Sequence, residues 1–128
     1  MPPRRSFQIR AAVCLALLAC LLPSAPAGAV DVWDYARSAG PIIGQAAACG
    51  APADRVAKAD AQVRELLSLS AKDADEHRKA DELFDFMRAA AVTEQTGAPG
   101  QGACPEALVT FTDLERRLPA WRSMLGGR

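Results

Sequence analysis

The residues best suited to chemistry are Asp73, His77 and Asp81, which recur at intervals of four in the middle of the chain. On a helix this spacing places them on one face, where two carboxylates and an imidazole can bind a divalent metal. Arg78 and Lys79 stand between them, and acidic residues favour a helix N-terminus for electrostatic reasons alone. A solvated, salt-bridged helix face is therefore the preferred interpretation, and a metal- or small-ligand-binding periplasmic protein is the alternative.

Catalysis has no support among the sequence motifs. His77 is the only histidine of the chain, and neither G-x-S-x-G nor H-E-x-x-H occurs. No C-x-x-C-H sequence is present to attach a haem. We therefore expect a protein without enzymatic activity and without a cofactor.

Two of the four cysteines, Cys14 and Cys20, lie in an apolar N-terminal run, which leaves Cys49 and Cys104 for the folded domain. An even number of cysteines in a small exported domain is typical of a disulfide. A metal site would need two further ligands at short spacing, and a redox-active pair would be closer in sequence. We predict a structural disulfide between Cys49 and Cys104, and closing this loop contributes roughly 4 kcal/mol of stability.

Residues 1–29 have the pattern of a signal peptide. Three arginines precede an unbroken apolar run of twelve residues, 11–22, and Ala27-Gly28-Ala29 supplies a small-x-small cleavage motif. The apolar run is too short for a membrane-spanning helix of about 20 residues. The pattern predicts a single mature domain, residues 30–128, that is periplasmic or secreted.

A second processing route starts from Leu17-Leu18-Ala19-Cys20, which resembles the lipobox of bacterial lipoproteins. In a lipobox the cysteine is acylated and becomes the first mature residue. Lipoproteins usually continue with a polar tether, whereas Leu21 and Leu22 prolong the apolar run here. Plain secretion is therefore preferred, and a lipid anchor at Cys20 is the alternative.

The charge balance argues against nucleic acid as a partner. The full chain has 15 basic and 15 acidic residues, and loss of the three arginines in 1–29 leaves 12 against 15. Phosphate binding needs a basic face, which an acidic excess does not favour.

Glycine and proline divide the remaining chain into four helical segments. They cluster at 40–44, 50–52 and 97–105, and apolar residues recur between these clusters at steps of three and four. The fold class predicted is all-α, a four-helix up-down-up-down bundle in which Cys49 and Cys104 lie at the same end. This arrangement also places Trp33 and Tyr35 near Trp121 at the opposite end.

Local signals predict where these segments begin and end. Gly40-Pro41 predicts either a kink in the first helix or a new helix starting at Pro41, and Gly50 predicts its end. Asp54 is a candidate N-cap of the second helix, and Ser70-Ala71-Lys72-Asp73 resembles a capping box for the third. Pro105 suits the first position of the fourth helix, which Pro119 is expected to end before one more turn.

Apolar side chains that we expect to lie beyond the needs of the core are Trp33, Ile43, Leu69, Phe86, Trp121, Met124 and Leu125. Such residues can anchor a partner helix or peptide, and Trp33, Trp121, Met124 and Leu125 are the candidates for this role. The alternative is that they cover the edges of a small core. We expect the protein to act through contact with a protein partner in the cell envelope, whose identity the sequence does not indicate.

The overall plan resembles that of type II secretion pilotins and, more loosely, that of small periplasmic acid-stress chaperones. The shared features are a signal sequence, a short helical domain, Cys49 late in the first helix and Cys104 at the last helix. The resemblance implies an adaptor or chaperone role. Because pilotins are lipoproteins, acylation of Cys20 would strengthen the resemblance and cleavage after Ala29 would weaken it.

Overall fold

The computed structural model describes residues 31–97 and 103–127. They form four α-helices: α1 Val32–Ala48, α2 Ala53–Ser70, α3 Ala74–Gly97 and α4 Cys104–Gly126. Neither described range contains a strand. The predicted all-α, four-helix class is therefore confirmed. The predicted signal segment, 1–29, and its lipobox residue, Cys20, lie outside the described residues.

The disulfide joins the end of α1 to the start of α4. Cys49 and Cys104 are bonded, with their Cα atoms 5.3 Å apart. Gly50 adopts the left-handed conformation, with φ 82°, and the N–H of Ala51 donates to the carbonyl oxygen of Ala46 at 2.9 Å. This is the Schellman pattern of a glycine-terminated helix. The predicted disulfide and the predicted stop at Gly50 are both confirmed, and the stop fixes the position of Cys49.

Both internal prolines lie within continuous helices. α1 runs through Pro41 and α4 runs through Pro119, so the predicted end of α4 at Pro119 is wrong, and Pro41 does not start a new helix. An internal proline removes one backbone hydrogen bond and costs about 3 kcal/mol in a helix. Apolar contacts on both sides of each proline offset this cost. The flanking residues that supply them are Tyr35, Ile43 and Leu118, which are buried, and Trp121, which is half-buried.

The start of α2 lies two residues before its prediction. The helix begins at Ala53, and Pro52 occupies the N-cap position without a side-chain hydrogen bond. Asp54 is therefore not the N-cap, although its carboxylate lies in the first turn, where the helix dipole favours it.

The cap of α3 also differs from its prediction. Ser70 Oγ donates back to the carbonyl oxygen of Leu66 at 2.7 Å and does not cap α3. Asp73 Oδ1 instead accepts from the N–H of Glu76 at 2.8 Å, and Glu76 Oε2 accepts from the N–H of Lys72 at 2.6 Å. The reciprocal cap therefore forms three residues later than predicted, with Asp73 in the position expected for Ser70.

α1 and α2 lie between α3 and α4. α1 contacts all three other helices, whereas no Cα atom of α3 lies within 8 Å of a Cα atom of α4. The up-down-up-down order stays a prediction. The buried core comprises Val32, Tyr35, Ala36, Ala39, Ile43, Ala46, Val56, Ala59, Val63, Leu66, Leu67, Ala80, Phe84, Phe111, Leu114 and Leu118.

Gly40 and Gly44 bring α1 close to α3. A Cβ atom on Gly40 would lie 2.9 Å from Met87 Cβ, and one on Gly44 would overlap the carbonyl oxygen of Arg88 and lie 3.1 Å from Ala91 Cβ. Because the chain advances from Met87 to Ala91 as α1 advances from Gly40 to Gly44, the two helices run in the same direction. The absence of these two side chains lets the backbones approach.

Two ion pairs connect α4 to α2. Arg55 Nε donates to Glu115 Oε1 at 3.0 Å, and Arg122 Nε donates to Glu65 Oε1 at 2.9 Å. The Arg55 guanidinium also lies 5.5 Å from the centroid of the Phe111 ring, a cation–π contact. These contacts position α4 beside α1 on the side away from α3.

Candidate functional site

The three residues of the candidate metal site serve other contacts. His77 Nε2 lies 3.3 Å from Asp81 Oδ2, and Arg64 Nη1 lies 3.4 Å from Asp81 Oδ1. Asp73 caps the backbone of α3. Within 31–97 and 103–127, no group of three or more His, Cys, Asp or Glu side chains gathers as metal ligands would. The structure brings His77 and Asp81 together and leaves Asp73 apart.

Arg64 occupies the centre of an ion cluster between α2 and α3. Its Nε donates to Asp60 Oδ2 at 2.8 Å, and its Nη2 donates to Asp85 Oδ1 at 2.6 Å. The guanidinium also lies 5.0 Å from the centroid of the Phe84 ring. Burial opposes its charge, but the hydrogen bonds that it donates to Asp85 and Asp60 outweigh burial and raise the pKa of Arg64. The cluster holds two helices together.

The outer face of α3 carries a second set of ion pairs. Arg78 donates to Asp75 at 2.8 Å and to Glu82 at 2.6 Å, and Lys79 Nζ lies 2.6 Å from Asp75 Oδ2. The hydrogen bonds from Lys79 and Arg78 lower the pKa of Asp75. The acidic face of α3 is thus occupied by neighbouring basic side chains.

A groove lies between α1 and α4. Its volume is about 340 Å³. The residues that line it are Asp34, Tyr35, Ser38, Ala39, Ile42, Thr110, Asp113, Leu114, Arg117 and Trp121. We call this feature the α1–α4 groove. Since Ser38 and Ala39 have short side chains, α1 leaves space beside α4 in the middle of the contact.

An aromatic pair closes the groove at the end far from the disulfide. The ring centroids of Tyr35 and Trp121 are 5.4 Å apart, and the ring planes are tilted by 58°. Tilted aromatic pairs are favourable because the positive edge of one ring meets the negative face of the other. The predicted proximity of Tyr35 and Trp121 is confirmed.

The four predicted partner-binding residues separate into two kinds. Trp33 and Leu125 are half-buried and pack against the core. Trp121 lines the groove, and Met124 is 63% exposed. Because Arg117, Trp121 and Met124 are spaced four and three apart on α4, they share one face.

The charges of the groove are unevenly paired. Asp113 Oδ1 lies 3.5 Å from Arg116 Nη1. The exposed side chains of Asp34 and Arg117 make no ion pair or hydrogen bond within the described residues. The sequence reasoning missed Asp34, Tyr35, Ile42 and Arg117 as groove residues. The signal that points to them is the register set by the disulfide, together with the steps of four and three that connect Tyr35, Ala39 and Ile42 on α1.

No protein-family model, curated protein or solved structure matches the chain. Of the described helices, none combines the length and the apolar character needed to cross a membrane.

Proposed function

We propose that the protein is an exported helical adaptor that binds another polypeptide through the α1–α4 groove and performs no catalysis. The observation that carries the proposal is the composition of the groove and its rim. Tyr35, Trp121 and Arg117 line the groove, and Met124 lies exposed on the same face of α4. All four are of the residue types enriched at protein interfaces and among residues that dominate binding energy. The apolar floor with a charged rim suits an anchor side chain surrounded by polar contacts.

Export is supported by two features of the chain. Residues 1–29 have the signal-peptide pattern, and the Cys49–Cys104 disulfide is of a kind that persists in oxidising compartments. Intact mass of the protein from its native cell envelope tests this part. A mass beginning at Val30 is expected, and a diacylated mass beginning at Cys20 would replace free secretion with lipid anchoring.

The volume of the groove limits what it holds. About 340 Å³ lies near the lower end of the range for ligand pockets. This volume suits one or two large apolar side chains of a docked segment. A helix or strand of the partner would lie along α1 and α4 and insert its anchor between them.

Site-specific photocrosslinking in the native envelope tests the binding surface. A photoreactive residue at Ser38, which lines the groove, should give a defined polypeptide adduct, and one at the exposed Ala89 of α3 should not. Trp121→Ala should weaken the Ser38 adduct while circular dichroism shows the helices intact. Equal adducts at both positions, or none at Ser38, would contradict the proposal.

The competing hypothesis of metal or small-ligand binding by Asp73, His77 and Asp81 has its own test. We expect zinc and calcium to leave the melting temperature unchanged, because these side chains are engaged in a cap and in ion pairs. A rise in zinc that disappears in His77→Ala would favour the competing hypothesis.

A further inference from the structure

The rim of the α1–α4 groove carries two exposed side chains of opposite charge without ion-pair partners in the described residues, Asp34 on α1 and Arg117 on α4. They line the same groove but are more than 4.0 Å apart. The other charged residue of the lining, Asp113, is paired with Arg116. The groove therefore presents one available negative and one available positive group.

A two-fold interface requires a surface that is complementary to itself, since residue i of one copy contacts residue j of the other and the reverse also holds. Asp34 and Arg117 satisfy this requirement. We infer that a second copy of this chain occupies the groove, with Asp34 of each copy paired to Arg117 of the other. The inference rests on the proposed function, because it names the partner of the same polypeptide-binding groove.

The apolar residues fit the same two-fold arrangement. The Tyr35–Trp121 contact sets the level at which α1 and α4 lie side by side. With a rise of 1.5 Å per residue, Arg117 lies about 6 Å from Trp121 along α4, on the side towards the disulfide. Met124 lies about 4.5 Å from Trp121 on the opposite side.

A two-fold axis midway between the levels of Asp34 and Arg117 has a further consequence. An axis that brings two copies face to face lies in the plane of the interface, so pairing Asp34 with Arg117 makes it oblique to α1 and α4. With the two helix axes about 8–10 Å apart, this oblique axis passes close to Met124. Met124, which is 63% exposed, then faces Met124 of the other copy. The charged pairs and this apolar contact therefore agree on one geometry.

Charge reversal tests the inference on the full exported protein, with sedimentation equilibrium as the readout. The wild type should show a monomer–dimer equilibrium, and Asp34→Arg or Arg117→Asp alone should weaken dimerisation by at least about ten-fold, because each places two like charges opposite each other. An equimolar mixture of the two variants should recover a dimer, since every pair across that interface again joins opposite charges. The variant Arg37→Asp, an exposed charge reversal on α1 outside the groove, should dimerise as the wild type does.

Several results would overturn the inference. A wild type that stays monomeric at millimolar concentration would do so, as would single reversals that dimerise normally or a mixture that stays monomeric. The Ser38 crosslink separates this failure from that of the proposed function. An adduct of twice the chain mass supports the second copy, whereas an adduct with a different polypeptide and a monomeric wild type overturns the dimer and keeps the adaptor function.

Discussion

α1 is packed against α3 and against α4 in contrasting ways. Towards α3, Gly40 and Gly44 remove side chains and the two backbones meet directly. Towards α4, a disulfide holds one end, the Tyr35–Trp121 pair holds the other, and a groove lies between them. Small residues thus allow a close contact between α1 and α3 but leave a groove between α1 and α4.

The difference depends on what fixes the distance between the helices. On the α3 side the atoms nearest to Gly40 and Gly44 are backbone and Cβ atoms, so the missing side chains allow a closer approach. On the α4 side the covalent bond and the aromatic pair set the spacing. The short side chains of Ser38 and Ala39 therefore leave free volume there. The contrast separates a surface that stabilises the fold from the surface for which we propose binding.

Removal of the disulfide should have the largest effect, because it breaks one end of the α4 attachment. Replacing both Cys49 and Cys104 by alanine should lower the free energy of unfolding by about 4 kcal/mol, as the closed loop is long. Urea denaturation monitored by circular dichroism measures this. Reduced wild type should match the double variant, and a loss below about 1 kcal/mol would show that α4 is held mainly by its other contacts.

Gly44→Ala should break the close α1–α3 contact at a cost of about 3 kcal/mol, since the new methyl group overlaps the Arg88 carbonyl oxygen. Gly40→Ala should cost less, because the overlap is smaller: its Cβ would lie 2.9 Å from Met87 Cβ and 3.0 Å from the carbonyl oxygen of Phe84. Gly126→Ala is the matched control, as no atom lies within 4 Å of a Cβ there. Equal stability of Gly44→Ala and Gly126→Ala in urea would contradict the close approach.

Trp121→Ala should lower stability by about 1.5 kcal/mol, because the aromatic contact with Tyr35 and part of a half-buried surface are lost. The near-ultraviolet circular dichroism signal should fall while the helical signal is kept. Trp121→Phe should recover part of the loss. Phe86→Ala, which removes a side chain that is 68% exposed on α3, should change stability by less than about 0.5 kcal/mol.

Lowering the pH should have the smallest effect on folding stability. It should not change how α1 packs against α3 or against α4. Lys79 and Arg78 lower the pKa of Asp75 in the folded state, so the stability that this carboxylate contributes is present above its unfolded pKa of about 3.9. This contribution to stability is lost as the pH falls through the lowered pKa of Asp75 in the folded state. The dependence of stability on pH should therefore be weaker in Asp75→Asn across this acid range. Superimposable acid unfolding profiles of the variant and the wild type would contradict this, and high salt should reduce the difference.

Much of the fold followed from local spacing. The apolar stripe of α2 is buried as predicted, with Val56, Ala59 and Val63 among its members, and Gly50 ends α1. The errors came from judging proline and glycine by local rules alone. Pro41 remains inside α1 because burial on both sides outweighs a missing hydrogen bond, which is a tertiary effect.

The sequence contained a signal for the close α1–α3 contact, but it was interpreted as a helix break. Ala36, Gly40 and Gly44 recur every four residues, which is the spacing of a small-residue face. Interpreting Gly40 as a helix break hid that face. A stripe of small residues beside a long helical segment indicates close helix approach only when the segment against which it packs is known.

The candidate site was partly predictable. Trp121 and Met124 stood out as aromatic and methionine side chains beyond the needs of the core, and both lie at the groove or on its face of α4. Asp34 and Arg117 did not stand out, since exposed charges are common on helices. Their importance depends on the register between α1 and α4, which only the three-dimensional arrangement supplies.

The separation of α3 from α4 matters for the order in which a translocated chain folds. A polypeptide that crosses a membrane from its N-terminus presents α1, α2 and α3 before α4. In the described residues α3 reaches α4 through one hydrogen bond, from Gln95 Nε2 to Cys104 Sγ at 3.4 Å. The first three helices can therefore associate while Cys49 is still a thiol, 55 residues before Cys104. Under the proposed export, the face of α1 that later borders the groove is exposed during transit, and oxidation and completion of the proposed binding surface become the same final event.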